Sequence, residues 1–343
     1  MSRAPVVALA LGVLGLLATA LLGVGAAHAV MPSYLAAWLF WSALPIGALP
    51  VLMALDLVGR GEAAAAFVRP LLLGWPAAAA LALPLLLGVD ATYPWASATA
   101  AGFAGRWFTP GLFVVRSCAY LAIWLALALL FAAPRAIGER RSAAVVGLML
   151  HAVVGTLAAT DWSMSVDAHW HSSTYGLLFV AAQIAAAGAA GVLLAAWSGL
   201  LGSIPGEAGT LLLIPAAAWG FLAFVQFLIV WSGDLPKEIG YYISRAAGLG
   251  RPAEWFLIGA GLLLPALAAQ SRRVRLLAVG AALALAAHFV EMYWLVTPAL
   301  RGRFTVSLAD IAAAVGVGGV MVGSVLLLAR RSAAWRALEV RHG

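Results

Sequence analysis

The chain has 343 residues, 64% of them hydrophobic and only 10% charged, with a formal net charge of +7 and a mean hydropathy of +1.02. A soluble domain carries roughly 45–50% apolar and about 25% charged residues, so a single water-facing globule is excluded and a polytopic membrane protein is indicated. The arginines lie scattered between apolar runs, which sets nucleic-acid binding aside, and the single cysteine, Cys118, excludes an internal disulfide, a cysteine-ligated iron–sulfur cluster and a CxxCH haem attachment.

Only helices and closed barrels satisfy the backbone inside a bilayer, and about 20 apolar residues suffice for one helical crossing. Ten such segments follow one another, near residues 5–27, 34–57, 69–89, 111–132, 142–162, 174–199, 209–232, 253–270, 275–297 and 305–329. The expected fold is an all-α polytopic membrane protein. The first segment follows Arg3 and ends in "AAHA", as a cleaved signal peptide would. Its apolar run exceeds an h-region of about 7–15 residues, and it reads as an anchor. With both termini inside, thirteen cations fall on the inner side and seven, Arg116 among them, on the outer side. That two-to-one bias predicts cytoplasmic termini.

The outward loops are the polar ones. "AATDWSMSVDAHWHSSTYG", Ala158 to Gly176, places two aspartates, two histidines, two tryptophans and a run of hydroxyls between the fifth and sixth segments. "GVDATYPWASATAAGFAGRWFTPG" and "WSGDLPKEIGYYISRAAGLGRPAEW" join segments three to four and seven to eight. Trp95, Trp107, Trp162 and Trp170 read as anchors at headgroup level. Asp161 or Asp167 is expected to cap the sixth helix or to pair with Arg116.

At this point "DWSMSVDAHWHSSTYGLLFVAAQ" resembles the signature of the F-type membrane subunit of alternative complex III, a bacterial quinol:cytochrome c oxidoreductase, within the NrfD/PsrC-like superfamily. "YLAAWLFWSALPIGALPVLMALDLVGR", "LLLGVDATYPWA", "FVVRSCAYLAIW", "FLIVWSGDLPKEIGYY" and "VEMYWLVTPA" resemble further segments of that family in the same order, over roughly Tyr34 to Pro298. The chain departs from the family pattern at Ala168 and His171, and at Asp234, Lys237 and Glu238. The resemblance implies two four-helix bundles, helices 2–5 and 6–9. With peripheral helices 1 and 10 this divides the chain into an anchor over 1–33, bundles over 34–173 and 174–300, and a last helix with a basic tail over 301–343. It further implies a place in the bacterial inner membrane beside a C-type NrfD-like subunit, iron–sulfur and multihaem cytochrome c subunits and, in some assemblies, a terminal oxidase. Haem and iron–sulfur clusters would then reside on those partners, and this chain would carry no covalent cofactor.

An ionisable group at a helix centre costs about 2.5–3.5 kcal/mol on insertion scales, so each one present needs a partner or a purpose. Two readings stay open. Quinol oxidation needs proton acceptors within hydrogen-bond reach, and Asp161, His169 and Asp167, with Arg116, are the candidates. Proton conduction would use His151, His288, Glu291 and Asp310, with Asp56 on the inner side; His288 and Glu291 share one helix face, and Asp310 is expected about two turns into the last helix. The alternation of Asp167, His169 and His171 permits a metal site but supplies no fourth ligand, and none is assigned. From a different class, a proton- or ion-coupled secondary transporter also fits ten helices with buried acids. Whether the chain binds quinone, moves protons or scaffolds is open at this level.

Overall fold

The computed structural model describes residues 3–97, 102–133, 136, 138–167 and 170–331. Among the described residues there are ten helices long and apolar enough to cross a membrane and no β-strand. They are α1 Ala4–Leu22, α2 Ala27–Val58, α3 Glu62–Leu87, α4 Pro110–Ala132, α5 Arg141–Trp162, α6 Tyr175–Trp197, α7 Pro205–Gly233, α8 Gly250–Ser271, α9 Val274–Arg301 and α10 Leu308–Arg331. The protein is an all-α, multi-pass membrane protein.

Several ends differ from expectation for identifiable reasons. The third helix begins at Glu62, so Arg69 lies inside the span rather than in the loop before it. Pro70, Pro76 and Pro84 each remove a backbone donor, and α3 is accordingly broken into Glu62–Val68, a 3-10 turn Arg69–Gly74, and the pieces Trp75–Ala80 and Leu83–Leu87. Irregular backbone at this depth is tolerated where protein covers it, and Pro70, Leu71, Leu72 and Gly74 are buried. α10 begins at Leu308, which places Asp310 in its first turn instead of two turns in.

α2 and α6 form the centre. α2 packs on α5, α6, α9 and α10, and α6 packs on α5, α7 and α9 as well. The two cross so closely that a methyl group on Gly47 would collide with the Gln183 carbonyl. Beyond that crossing, α6, α7, α8 and α9 pack in a ring, each on the next and α9 back on α6. α2, α3, α4 and α5 pack together on the other side.

α1 stands outside this body and packs antiparallel on α10. Ala8, Gly12, Gly15 and Thr19 lie on one face of α1 and Ala312, Gly316, Gly319 and Gly323 on one face of α10. Both sets follow the same four-three-four spacing, which lets two backbones approach where lipid supplies no hydrophobic drive. A methyl on Gly12 would stand 2.5 Å from the Val320 nitrogen, and one on Gly316 would stand 2.7 Å from the Leu16 nitrogen. Gly316→Leu should therefore displace α1 and lower stability by about 1–3 kcal/mol, as overpacking does. Thermal unfolding of the purified chain in micelles measures this, and an unchanged midpoint would mean that the α1–α10 seam contributes nothing.

Candidate functional site

Three arginine–aspartate pairs gather at one end of the molecule, the end carrying the 158–176 loop. At the first, Asp161 closes α5 with no exposed surface. Its two carboxylate oxygens accept from four donors: Arg116 Nε and Nη2 at 2.8 and 2.9 Å, Trp107 Nε1 at 2.9 Å and Tyr120 hydroxyl at 2.9 Å. Arg116 also lies over the Trp107 ring, 4.1 Å from its centroid, and donates to the Trp107 carbonyl. A two-toothed arginine contact on a carboxylate is strong and directional. The loop between α3 and α4 is thereby tied to the end of α5.

The second pair joins Asp167 to Arg245 of the short helix Pro236–Ala246, at 3.4 Å. Arg245 is buried, with its guanidinium 3.4 Å from the Tyr241 ring centroid and a hydrogen bond to the Leu295 carbonyl of α9. Trp170 stacks on the other partner of this layer, Tyr241, at 3.7 Å. Burial pushes the Tyr241 phenol well above its ordinary range, and the neighbouring Arg245 opposes that shift; the ring stays neutral beneath the cation. The third pair joins Arg301, at the end of α9, to Asp310 at the start of α10. Ser33 of α2 donates to the same carboxylate, as do the Ser307 amide and hydroxyl.

The sequence expectations fare unevenly here. The Arg116–Asp161 pairing is present. Neither aspartate caps α6, whose N-cap is Thr174 with no side-chain cap. The four tryptophans have partners within the protein: Trp95 and Trp162 are buried and donate to Ser165 and Ser117, Trp170 is buried on Tyr241, and Trp107 donates to Asp161. Asp310 belongs to the Arg301 cluster and makes no hydrogen bond to His288 or Glu291. Asp56, near the opposite end, accepts from the Gly138 amide at 2.8 Å. His169 lies outside the described residues. Among the described residues no three His, Cys, Asp or Glu side chains gather as a metal site.

A second level of polar chemistry sits at the middle of the helices. In α5, His151 is buried and its Nδ1 accepts from Trp124 Nε1 at 3.1 Å. Trp124 lies among Trp75 and Trp162, with centroids 6.1 and 5.7 Å away, and Trp162 meets Trp38 edge-on at 4.8 Å. Aromatic rings fill this side. In α9, His288 Nδ1 stands 3.1 Å from Glu291 Oε2, and both side chains are buried. Glu291 Oε1 accepts from Trp219 Nε1 of α7 at 2.6 Å. Beside this group is a cavity of about 20 Å³, lined by Ala182 and Ala185 of α6, Ala216 and Trp219 of α7, and residues of α8 and α9.

Trp219 was the functional residue that sequence reasoning missed. Its signal was available: a tryptophan at the middle of an apolar helix, far from either headgroup layer, needs a buried acceptor for its N–H. A carboxylate that accepts from a tryptophan and faces an imidazole can hold a charge or take up a proton without leaving the membrane interior. No protein-family model matches the chain, and no curated protein matches it.

The Arg116–Asp161 pair can be tested directly. Asp161→Leu and Arg116→Leu should each cost about 3–5 kcal/mol, since each leaves the partner charge or donors buried and unmatched. The double variant Asp161→Leu with Arg116→Leu should lose clearly less than the sum of the two single changes. Unfolding of the purified chain in micelles reads all three, and strictly additive losses would contradict a coupled pair.

Proposed function

We propose that this chain is a membrane subunit of an alternative complex III-like respiratory quinol:electron-acceptor oxidoreductase and that its own contribution is proton handling at His288 and Glu291. The observation that carries the reading is the Trp219–Glu291–His288 group, set midway along α7 and α9 beside a cavity. Buried acids and imidazoles within membrane helices are the groups that proton relays use. The respiratory context comes from the family resemblance. In that reading the subunit lies in the bacterial inner membrane with cytoplasmic termini, and a C-type NrfD-like subunit, iron–sulfur and multihaem cytochrome c subunits and lipids surround it.

Asp161 is fully buried and its oxygens are taken by four donors, which supports an architectural role for it over acceptance of a quinol proton. The cavity beside His288 has about 20 Å³ and cannot enclose a quinone ring. Quinol chemistry and electron transfer are assigned to the partner subunits, and no step here passes through a quinone. Arg116, Asp161 and Asp167 are assigned to architecture at the outer rim.

Glu291→Gln provides the test. It keeps the Trp219 acceptor and the side-chain shape while removing the charge and the site of proton uptake. In the purified assembly, proton-coupled quinol turnover should fall by about 10²-fold or more, as loss of a proton-transferring group does, with subunit composition unchanged. Native turnover and proton stoichiometry in that variant would assign the pair to packing. Solute flux by the chain alone in liposomes would replace the proposal with the secondary-transporter reading.

A further inference from the structure

The middle of α8 is not α-helical: Leu257–Leu263 forms a π turn. Such turns are short, rare and frequent at functional sites. This one faces the His288 cavity, since Leu257 and Gly261 both line it. One further detail meets it at the same place. His288 Nε2 is buried and makes no hydrogen bond, while Nδ1 is engaged by Glu291.

In the tautomer whose Nδ1 donates to the Glu291 carboxylate, Nε2 presents a bare lone pair. The partner that completes that tautomer is a hydrogen-bond donor. It must also be small, because a cavity needs about 10–15 Å³ to hold one water and this one has about 20 Å³.

We propose that the cavity binds a single water molecule that donates to His288 Nε2, and that the π turn Leu257–Leu263 is the segment that admits it. The turn provides what admission requires. Gly261 presents no side chain to the cavity, and a methyl there would stand 3.3 Å from Ala287 Cβ and 3.8 Å from the Trp219 ring. A methyl added at Gly259 would meet nothing within 4 Å, so the turn is not packed on that side. The role of this water rests on the proton-handling reading; its presence does not. In that role a proton arriving as hydronium adds to Nε2 and the Nδ1 proton passes to Glu291 Oε2. One water and a neutral acid result, and the imidazole returns to neutrality in its other tautomer.

The test uses the full chain in lipid nanodiscs. A high-resolution experimental map of the native protein should show water density within hydrogen-bond reach of His288 Nε2, and amides of Leu257–Leu263 should exchange with deuterium despite their position midway along α8. Gly261→Ala on α8 and Ala216→Val on α7 fill the cavity from different helices, so one variant remains informative if the other does not fold. Each should remove the density and slow exchange in the turn by about tenfold or more. An empty native cavity, or density that survives both fillings, overturns the water site. Exchange in the turn no faster than in Leu264–Ser271 overturns its role as the entrance. A water that is present while Glu291→Gln leaves proton-coupled turnover unchanged keeps the site and overturns the proton-handling reading alone.

Discussion

A charge inside a membrane must find its partner within the protein, and that requirement governs where the ionisable side chains of this molecule go. Lipid offers nothing to solvate a carboxylate or a guanidinium, so buried ones need partners in the protein. Arg116, Arg245 and Arg301 are each paired with an aspartate at the same end. Each pair also fastens one segment to another: the loop before α4 to α5, the short helix Pro236–Ala246 to the loop after α5, and α9 to α10 and α2. Fixing the loops at this end holds the long helices in register beneath them. The Trp219–Glu291–His288 group sits in that frame.

The two helix groups solve the same problem differently. Around His151 the space is closed by Trp38, Trp75, Trp124 and Trp162, and one tryptophan N–H supplies the imidazole with its donor. Around His288 alanines of α6, α7 and α9 and a glycine of α8 line a small cavity together with Leu212, Trp219 and Leu257. A carboxylate takes the place of the indole as the imidazole's partner. Large rings give rigidity and exclude water, whereas small residues beside a buried acid leave room for it. The π turn occurs on the helix that faces this space and not on the helices around His151. The asymmetry is what points to the second group as the working half.

Much of the architecture was legible from composition, because a bilayer demands about 20 apolar residues per crossing and leaves helices as the open-chain solution. The pairing of Arg116 with Asp161 and the shared face of His288 and Glu291 were also legible, the first as one of few outward cations near a buried acid and the second from the i,i+3 spacing. The proline-broken course of α3 was not, since its backbone is rescued by burial that only the tertiary fold supplies. The inward partners of the tryptophans were not legible for a related reason. A ring near a helix end can lie in the headgroups or turn inward, and the choice depends on acceptors such as Asp161, Ser117 and Ser165 that lie 45 to 70 residues away. Ser33 and Arg301, joined across 268 residues, carry no local signal at all.

In the proposed role Glu291 changes protonation during turnover, and infrared difference spectroscopy of the assembly reads that change most directly. Cycling the assembly between oxidised and quinol-reduced states should give a carboxylic-acid band that shifts in deuterated buffer and vanishes in Glu291→Gln. A difference spectrum with the same carboxyl bands in the native and Glu291→Gln assemblies would contradict the account, because the acid would then keep one protonation state throughout.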